Sequence, residues 1–213
     1  MELKNKKMTD SKEIRALPIS FEVRAADEGD GKRTITGGIK YNTDSEVMRD
    51  WYGDDFVEQI AAGAFDESLK TRGVVGLWSH DTSQVLGNTK SGTLRLESGP
   101  QELRFDLDIP NTSVGNDAWE LIQRGDVDGV SFGMRVTKEK WSSEDQEEGG
   151  KLYKRSILSA ELYEISPVAF PAYPANDVSV RSLDDFRESQ NEQRARELEN
   201  EIMLLEIELD LIG

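Results

Sequence analysis

The chain of 213 residues contains no cysteine and a single histidine, His80. Disulfides, thiolate nucleophiles and cysteine-ligated zinc or iron–sulfur centres are thereby excluded, and a multi-histidine metal site cannot be assembled within one chain. No apolar run approaches the roughly 20 residues of a membrane-spanning helix, and the amino-terminal stretch MELKNKKMTDSK lacks the apolar segment of a signal peptide. Basic side chains are scarce as well. The 26 Lys and Arg face 42 Asp and Glu, for a net charge of −16, and a surface of that sign repels phosphate, which argues against a nucleic-acid partner. These absences predict a protein kept in a reducing cytoplasm, without membrane association, metal or cofactor. Hydrophobic residues make up 36% of the chain, enough for one core of about 150 residues with polar appendages.

The pattern along the chain divides it in three. Residues 1–13 are polar and lysine-rich and read as a flexible tail. The runs RALPISFEVRA and TITGGIKYN are β-type, separated by the turn-forming DEGDGK. Over 56–71 the apolar residues Phe56, Ile60, Phe65 and Leu69 recur at helical spacing, with Gly63 as an interruption, which predicts two short helical turns. Short strands are expected at 74–80, 85–89, 93–97 and 103–109, then a helix at 113–124 with Thr112 or Ser113 as N-cap and Gly125 just beyond its end. Two long β runs follow, joined by the acidic SSEDQEEGG, read as a mobile hairpin loop. The class is therefore α+β, with a mainly antiparallel barrel or sandwich core over 14–181. Residues 182–213 carry ten acidic and three basic side chains, a net −7, with Leu198, Ile202, Leu205, Leu209 and Ile212 at alternating spacings of four and three. That is an acidic helix with an apolar stripe suited to a partner.

Three positions invite chemistry. In Gly129-Val130-Ser131-Phe132-Gly133-Met134-Arg135-Val136, strand alternation sends Val130, Phe132, Met134 and Val136 to one face and Ser131, Gly133 and Arg135 to the other. Gly133 leaves room there for an extended substrate, and Arg135 could place positive charge near an oxyanion. A serine needs a base to act as a nucleophile at neutral pH, and imidazole, with an ordinary pKa of about 6.5, suits that exchange. If the base is a histidine it must be His80. A carboxylate would orient it, with Asp81, Glu161 and Glu164 as candidates. Asp81 is adjacent to His80, where extended geometry sends side chains apart. Alternation aligns Glu164 with Leu158, Ala160 and Leu162, where a carboxylate is costly to bury without a partner, and this favours Glu164 over Glu161.

Several ordered motifs carry a resemblance. They are Phe56-x-Glu58-x-Ile60-x2-Gly63-Ala64-Phe65-x3-Leu69; Leu77-x2-His80-Asp81; Leu86-Gly87-x-Thr89-x-Ser91-Gly92-Thr93-Leu94; Arg124-Gly125-Asp126-Val127-x-Gly129-Val130-Ser131-Phe132-Gly133; and Glu164-Ile165-Ser166-x-Val168-x2-Pro171-Ala172-Tyr173-Pro174. Over residues 14–181 the chain resembles the tailed-phage prohead, or capsid maturation, proteases, which are serine endopeptidases related in fold to the herpesvirus assemblins. The resemblance implies an assemblin-like β-barrel wrapped by helices, Ser131 as nucleophile and His80 as base. Assemblins place a second histidine third; this chain has none, which supports Glu164 there. It further implies action inside the immature capsid in the host bacterial cytoplasm, on the major capsid protein and its scaffolding segment, with self-cleavage. The acidic tail has no counterpart in these motifs and reads as a targeting or scaffold-like extension, with self-association through its helix as a further expectation. A catalytically silent assembly or scaffolding module is the main competing reading. A metal hydrolase built on Asp106 and Asp108 is a weaker one, because nothing completes a ligand set.

Overall fold

The computed structural model describes residues 12–18, 22–24, 33–50, 52–146, 150–169 and 177–212. They form two units, Met1–Ala175 and Asn176–Gly213. In the first, the strands are β1 (Glu13–Pro18), β2 (Glu22–Arg24), β3 (Thr34–Lys40), β4 (Met48–Arg49), β5 (Asp55–Ile60), β6 (Val75–Trp78), β7 (Asp81–Asn88), β8 (Leu94–Ser98), β9 (Glu102–Asp108), β10 (Gly129–Asp145) and β11 (Lys151–Val168). Helices α1 (Asp66–Thr71) and α2 (Ser113–Gln123) interrupt them, and α3 (Asp177–Ile212) makes up the second unit.

The described strands lie in two sheets, not in the closed antiparallel barrel that the sequence suggested. The larger sheet has the order β1-β10-β11-β5-β4, with β6 joining β11 to β7, and the smaller runs β2-β3-β9-β8. The pairing is mixed, because β5 and then β6 run parallel to β11 along the same edge, at Leu152–Ile157 and Glu164–Ile165. Parallel neighbours need long connections, and local turn signals report only hairpins, so this part of the topology leaves no short-range trace.

Both sheets feed one core. Ile35, Ile39, Leu103, Phe105 and Leu107 come from the smaller sheet, and Val130, Phe132, Met134, Ile157, Leu162 and Ile165 from the larger. The Phe65 ring meets Phe132 edge-on, with centroids 6.2 Å apart. Helix α2 forms as its sequence predicts: the Thr112 hydroxyl accepts the Gly115 N–H at 3.2 Å, Ala118, Trp119 and Ile122 are buried, and Gly125 takes a positive φ of 78° just past the end.

The helical reading of 56–71 is half corrected. Phe56, Ile60 and Phe65 are buried as expected, but 55–60 is strand β5 and only Asp66–Thr71 is helical. A spacing of four fits two strand alternations as well as one helical turn, and Glu58, between Phe56 and Ile60, shares their buried face. The acidic connector is also shorter than expected, since the ladder continues to Asp145↔Lys151. Residues 147–149, the turn-forming stretch 27–32 and residues 1–11 of the tail lie outside the described residues. The C-terminal helix starts at Asp177, five residues before the composition changes at 182.

The inward side chains of β1 build a charged cluster against β5, β10 and β11. Arg155 donates to Glu13 at 2.8 Å, to Glu58 at 2.7 Å and to Glu139 at 2.6 Å, while Arg15 donates to Glu13 at 2.5 Å and binds both oxygens of Glu58. Glu13, Arg15, Glu58 and Arg155 are all buried. Burial pushes the Glu58 carboxyl up, but the two guanidiniums outweigh it and bring it down to about 2. A carboxylate depressed from 4.5 to about 2 contributes stability that is fully present above 4.5 and is lost as pH falls toward 2.

Replacing Glu58 by Gln takes one carboxylate from two buried guanidiniums, leaving Arg15 with Glu13 and Arg155 with Glu13 and Glu139, and is expected to cost about 3 kcal/mol at pH 7. The stability of Glu58→Gln should also depend less steeply on pH than that of the parent between about 5 and 2. Thermal melts across this range check both, and parallel pH curves for the two proteins would contradict the assignment.

Candidate active site

The long β10–β11 ladder brings the site's strand residues into register. Ser131 lies opposite Ser166 and Gly133 opposite Glu164, after which the pairing jumps to Met134↔Leu162 and leaves Tyr163 as a bulge. The extra residue resets alternation on β11. Ala160, Leu162 and Ile165 face the core, whereas Glu164 and Ser166 share the opposite face with Ser131 and Gly133. The alignment of Glu164 with Leu158, Ala160 and Leu162 expected from simple alternation is therefore wrong, and Leu158 is itself exposed. Glu164 is nonetheless buried, at 2% exposure.

His80 reaches this face from the turn between β6 and β7. The strand expected to run through His80 ends at Trp78, and Ser79 and His80 both adopt positive φ, 50° and 64°. Side chains with a Cβ rarely occupy that region, so the turn needs clamping. The end of β11 supplies the clamps: the Ser79 N–H donates to the Pro167 carbonyl and the His80 N–H to the Ser166 hydroxyl, each at 3.2 Å. The imidazole Nδ1 then lies 2.8 Å from Glu164 Oε1, and the Ser166 hydroxyl donates to Glu164 Oε2 at 2.7 Å. Burial pushes the Glu164 carboxyl up, but hydrogen bonds from His80 and Ser166, with the nearby charges of His80 and Lys12, hold it below the ordinary glutamate value. An ionised carboxylate only accepts hydrogen bonds, so this pairing puts the imidazole proton on Nδ1 and leaves Nε2 as an acceptor.

Ser131 stands beside this pair without bonding to it. Its hydroxyl donates to the Arg15 carbonyl of β1 at 2.8 Å, and the residue is 2% exposed. β1 pairs antiparallel with β10 along this stretch, and the Lys12 ammonium lies 3.2 Å from Glu164 Oε1. A Cβ at Gly133 would fall 2.1 Å from Lys12 Cε and 2.5 Å from Glu164 Oε1. The space read as room for a substrate is thus filled by the chain's own lysine.

The other two carboxylates are committed elsewhere. Asp81 accepts from the Ser83 amide and hydroxyl and from Gln84, at 2.6–2.8 Å, which lowers its pKa. Glu161 accepts from Arg135, Tyr163 and Arg72 at 2.8–3.0 Å. That contact also engages Arg135, read earlier as a source of charge for an oxyanion. Asp106 and Asp108 lie on β9 of the smaller sheet and accept from Thr36 and from Thr34 and Arg95 respectively. The motif Pro171-Ala172-Tyr173-Pro174 lies outside the described residues. Sequence reasoning missed Ser166 and Lys12. Ser166 carried a faint signal, its spacing of two from Glu164, but nothing marks Lys12.

A family model described as caudovirus prohead serine protease matches residues 19–207. The match extends past the motifs quoted above through most of α3. No curated protein and no solved structure gives a significant match.

Gly133→Ala tests the crowding at this site. The new methyl group should displace Lys12 and push the Glu164 carboxylate off the imidazole, so that the low-field Nδ1–H resonance of His80, the only histidine of the chain, is lost from the NMR spectrum. An unchanged resonance would mean that the Glu164 oxygen is not held where the structure has it.

Proposed function

The chain belongs to the caudovirus prohead serine protease family, and from that membership we propose an endopeptidase that cuts the scaffolding segment from the major capsid protein inside the immature capsid, and cuts itself. In this reading Ser131 is the nucleophile, His80 the general base and Glu164 the group that orients the imidazole. The observation that carries it is the 2.8 Å contact between His80 and a buried Glu164, on the strand face that Ser131 shares. Kinship with the assemblins is part of the same proposal.

The reaction is acyl transfer. Rotation about the Ser131 side-chain bond takes its hydroxyl from the Arg15 carbonyl toward His80, whose Nε2 accepts the proton as Oγ attacks a peptide carbonyl. Glu164 holds the tautomer with its proton on Nδ1 and stabilises the imidazolium that forms. His80 then protonates the departing amine, and water completes hydrolysis by the same route in reverse.

One observation favours the competing reading of a silent assembly module: the Ser131 hydroxyl is buried and bonded to β1. Co-expression with the adjacent capsid protein separates the two. Intact mass should reveal discrete fragments with the parent chain and none with Ser131→Ala or His80→Ala, because members of a nucleophile–base pair fail as a unit. Glu164→Gln should slow cleavage by about a thousandfold or more, and Glu161→Gln should change it little. Fragments that persist with Ser131→Ala would overturn the reading.

The C-terminal helix is assigned a role in recruitment or self-association, because Leu198, Ile202 and Leu205 of its stripe are half or more exposed, within a few percent. A stripe of this kind is costly to leave in water. Changing all three to Lys in the full chain should leave cleavage of a short peptide unaltered and reduce processing of assembled capsid substrate. Undiminished processing of that substrate would sink the assignment.

A further inference from the structure

We propose that Ser166 is a positioning residue of this site, one hydroxyl that fixes both the backbone carrying His80 and the carboxylate facing it. The inference rests on the reading of Ser131, His80 and Glu164 given above. Ser166 is fully buried at 0% exposure. Its hydroxyl accepts the His80 N–H at 3.2 Å and donates to Glu164 Oε2 at 2.7 Å, so its donor proton and one lone pair are both used.

The geometry gives this hydroxyl two tasks that an apolar side chain cannot perform. The first is to hold the turn. Ser79 and His80 both sit at positive φ, where a residue with a Cβ persists only if its surroundings dictate it. Of the two amides, that of Ser79 is held by a backbone carbonyl and that of His80, among the described residues, by Ser166. The second task is to hold the carboxylate. With Oε2 tied to Ser166, Oε1 is the oxygen presented to His80 Nδ1. The carboxylate is flanked by a competing cation, since the Lys12 ammonium lies 3.2 Å from the same Oε1. Without Ser166 the carboxylate can turn toward Lys12, and the imidazole loses both its backbone anchor and its aligned acceptor. Because Ser166 is also the strand partner of Ser131, this one residue ties the base and its carboxylate to the strand position of the nucleophile.

The alternative is that Ser166 merely satisfies buried polar groups and supports the fold. An isosteric pair separates the two, because Thr and Val fill the same volume and only Thr keeps the hydroxyl. The full-length chain in a Ser131→Ala background, which cannot cut itself, is compared by NMR as Ser166→Thr, Ser166→Val and Ser166→Ala. His80 is the only histidine, so a low-field Nδ1–H resonance needs no assignment. We expect the Thr variant to retain this resonance and the Val and Ala variants to lose it while the rest of the spectrum stays folded. With Ser131 restored, cleavage is measured on a peptide spanning a bond identified by intact mass. There kcat should fall about ten- to a hundredfold in Val and Ala relative to Thr, with KM little changed.

Indistinguishable Thr and Val variants, or an Ala variant that keeps the resonance and the parent kcat, would overturn the role of Ser166 and leave the catalytic reading intact. Cleavage that persists in the Ser131→Ala parent would overturn the catalytic reading itself, whatever the spectra of the 166 variants.

Discussion

Everything at this site depends on how β10 and β11 pair, and above all on the single-residue bulge at Tyr163. On the Gly133 side of the bulge, Glu164 and Ser166 lie across from Gly133 and Ser131. On the other side, Leu162 and Ala160 drop into the core. Without the extra residue, period-two alternation would carry Glu164 to the face of Leu162 and Ala160, away from His80. One inserted residue therefore allows a single strand to supply both core packing and a buried carboxylate.

Two charged clusters occupy opposite faces of this ladder, one reached by β1 and the other by Lys12 just before it. Glu13 and Arg15 point inward to Glu58 and Arg155, while Lys12 reaches Glu164 on the other side. Glu13, Arg15, Glu58 and Arg155 of the inner cluster and Glu164 of the outer one are removed from water, a cost that only close pairing offsets, whereas Lys12 stays partly exposed. In the inner cluster two guanidiniums face three carboxylates. In the outer one a carboxylate is shared among an imidazole, a hydroxyl and an ammonium. The inner cluster fixes four strands relative to one another. The outer cluster holds a titratable group on a strained turn, and strain held in place by surrounding contacts is characteristic of functional sites.

Much of this was legible in the sequence, for identifiable reasons. Strand alternation placed Val130, Phe132, Met134 and Val136 in the core, and the cap and terminal glycine of α2 announced its ends. The count of one histidine directed attention to His80. Four things were not legible. The spacing of four in Phe56 and Ile60 fits a strand as well as a helix, and the arginines that accompany Glu58 into the interior, Arg15 and Arg155, lie far from it along the chain. Parallel pairing of β5 and β6 with β11 leaves no local turn. A bulge has no residue signature at Tyr163, so the argument that favoured Glu164 used a face the residue does not occupy. The positive φ at His80 was likewise hidden, because neither Ser79 nor His80 is a glycine.

In the proposed mechanism Ser131 is a nucleophile activated by His80, although its hydroxyl is bonded to β1. Treatment of the purified full-length protein with a fluorophosphonate, followed by peptide mass analysis, tests this, because an activated serine attacks the phosphorus, displaces fluoride and is left phosphonylated on Oγ. One adduct is expected, on Ser131, formed in the parent and absent when His80 is replaced by Ala. An adduct on another serine, or labelling of Ser131 that survives the loss of His80, would contradict it.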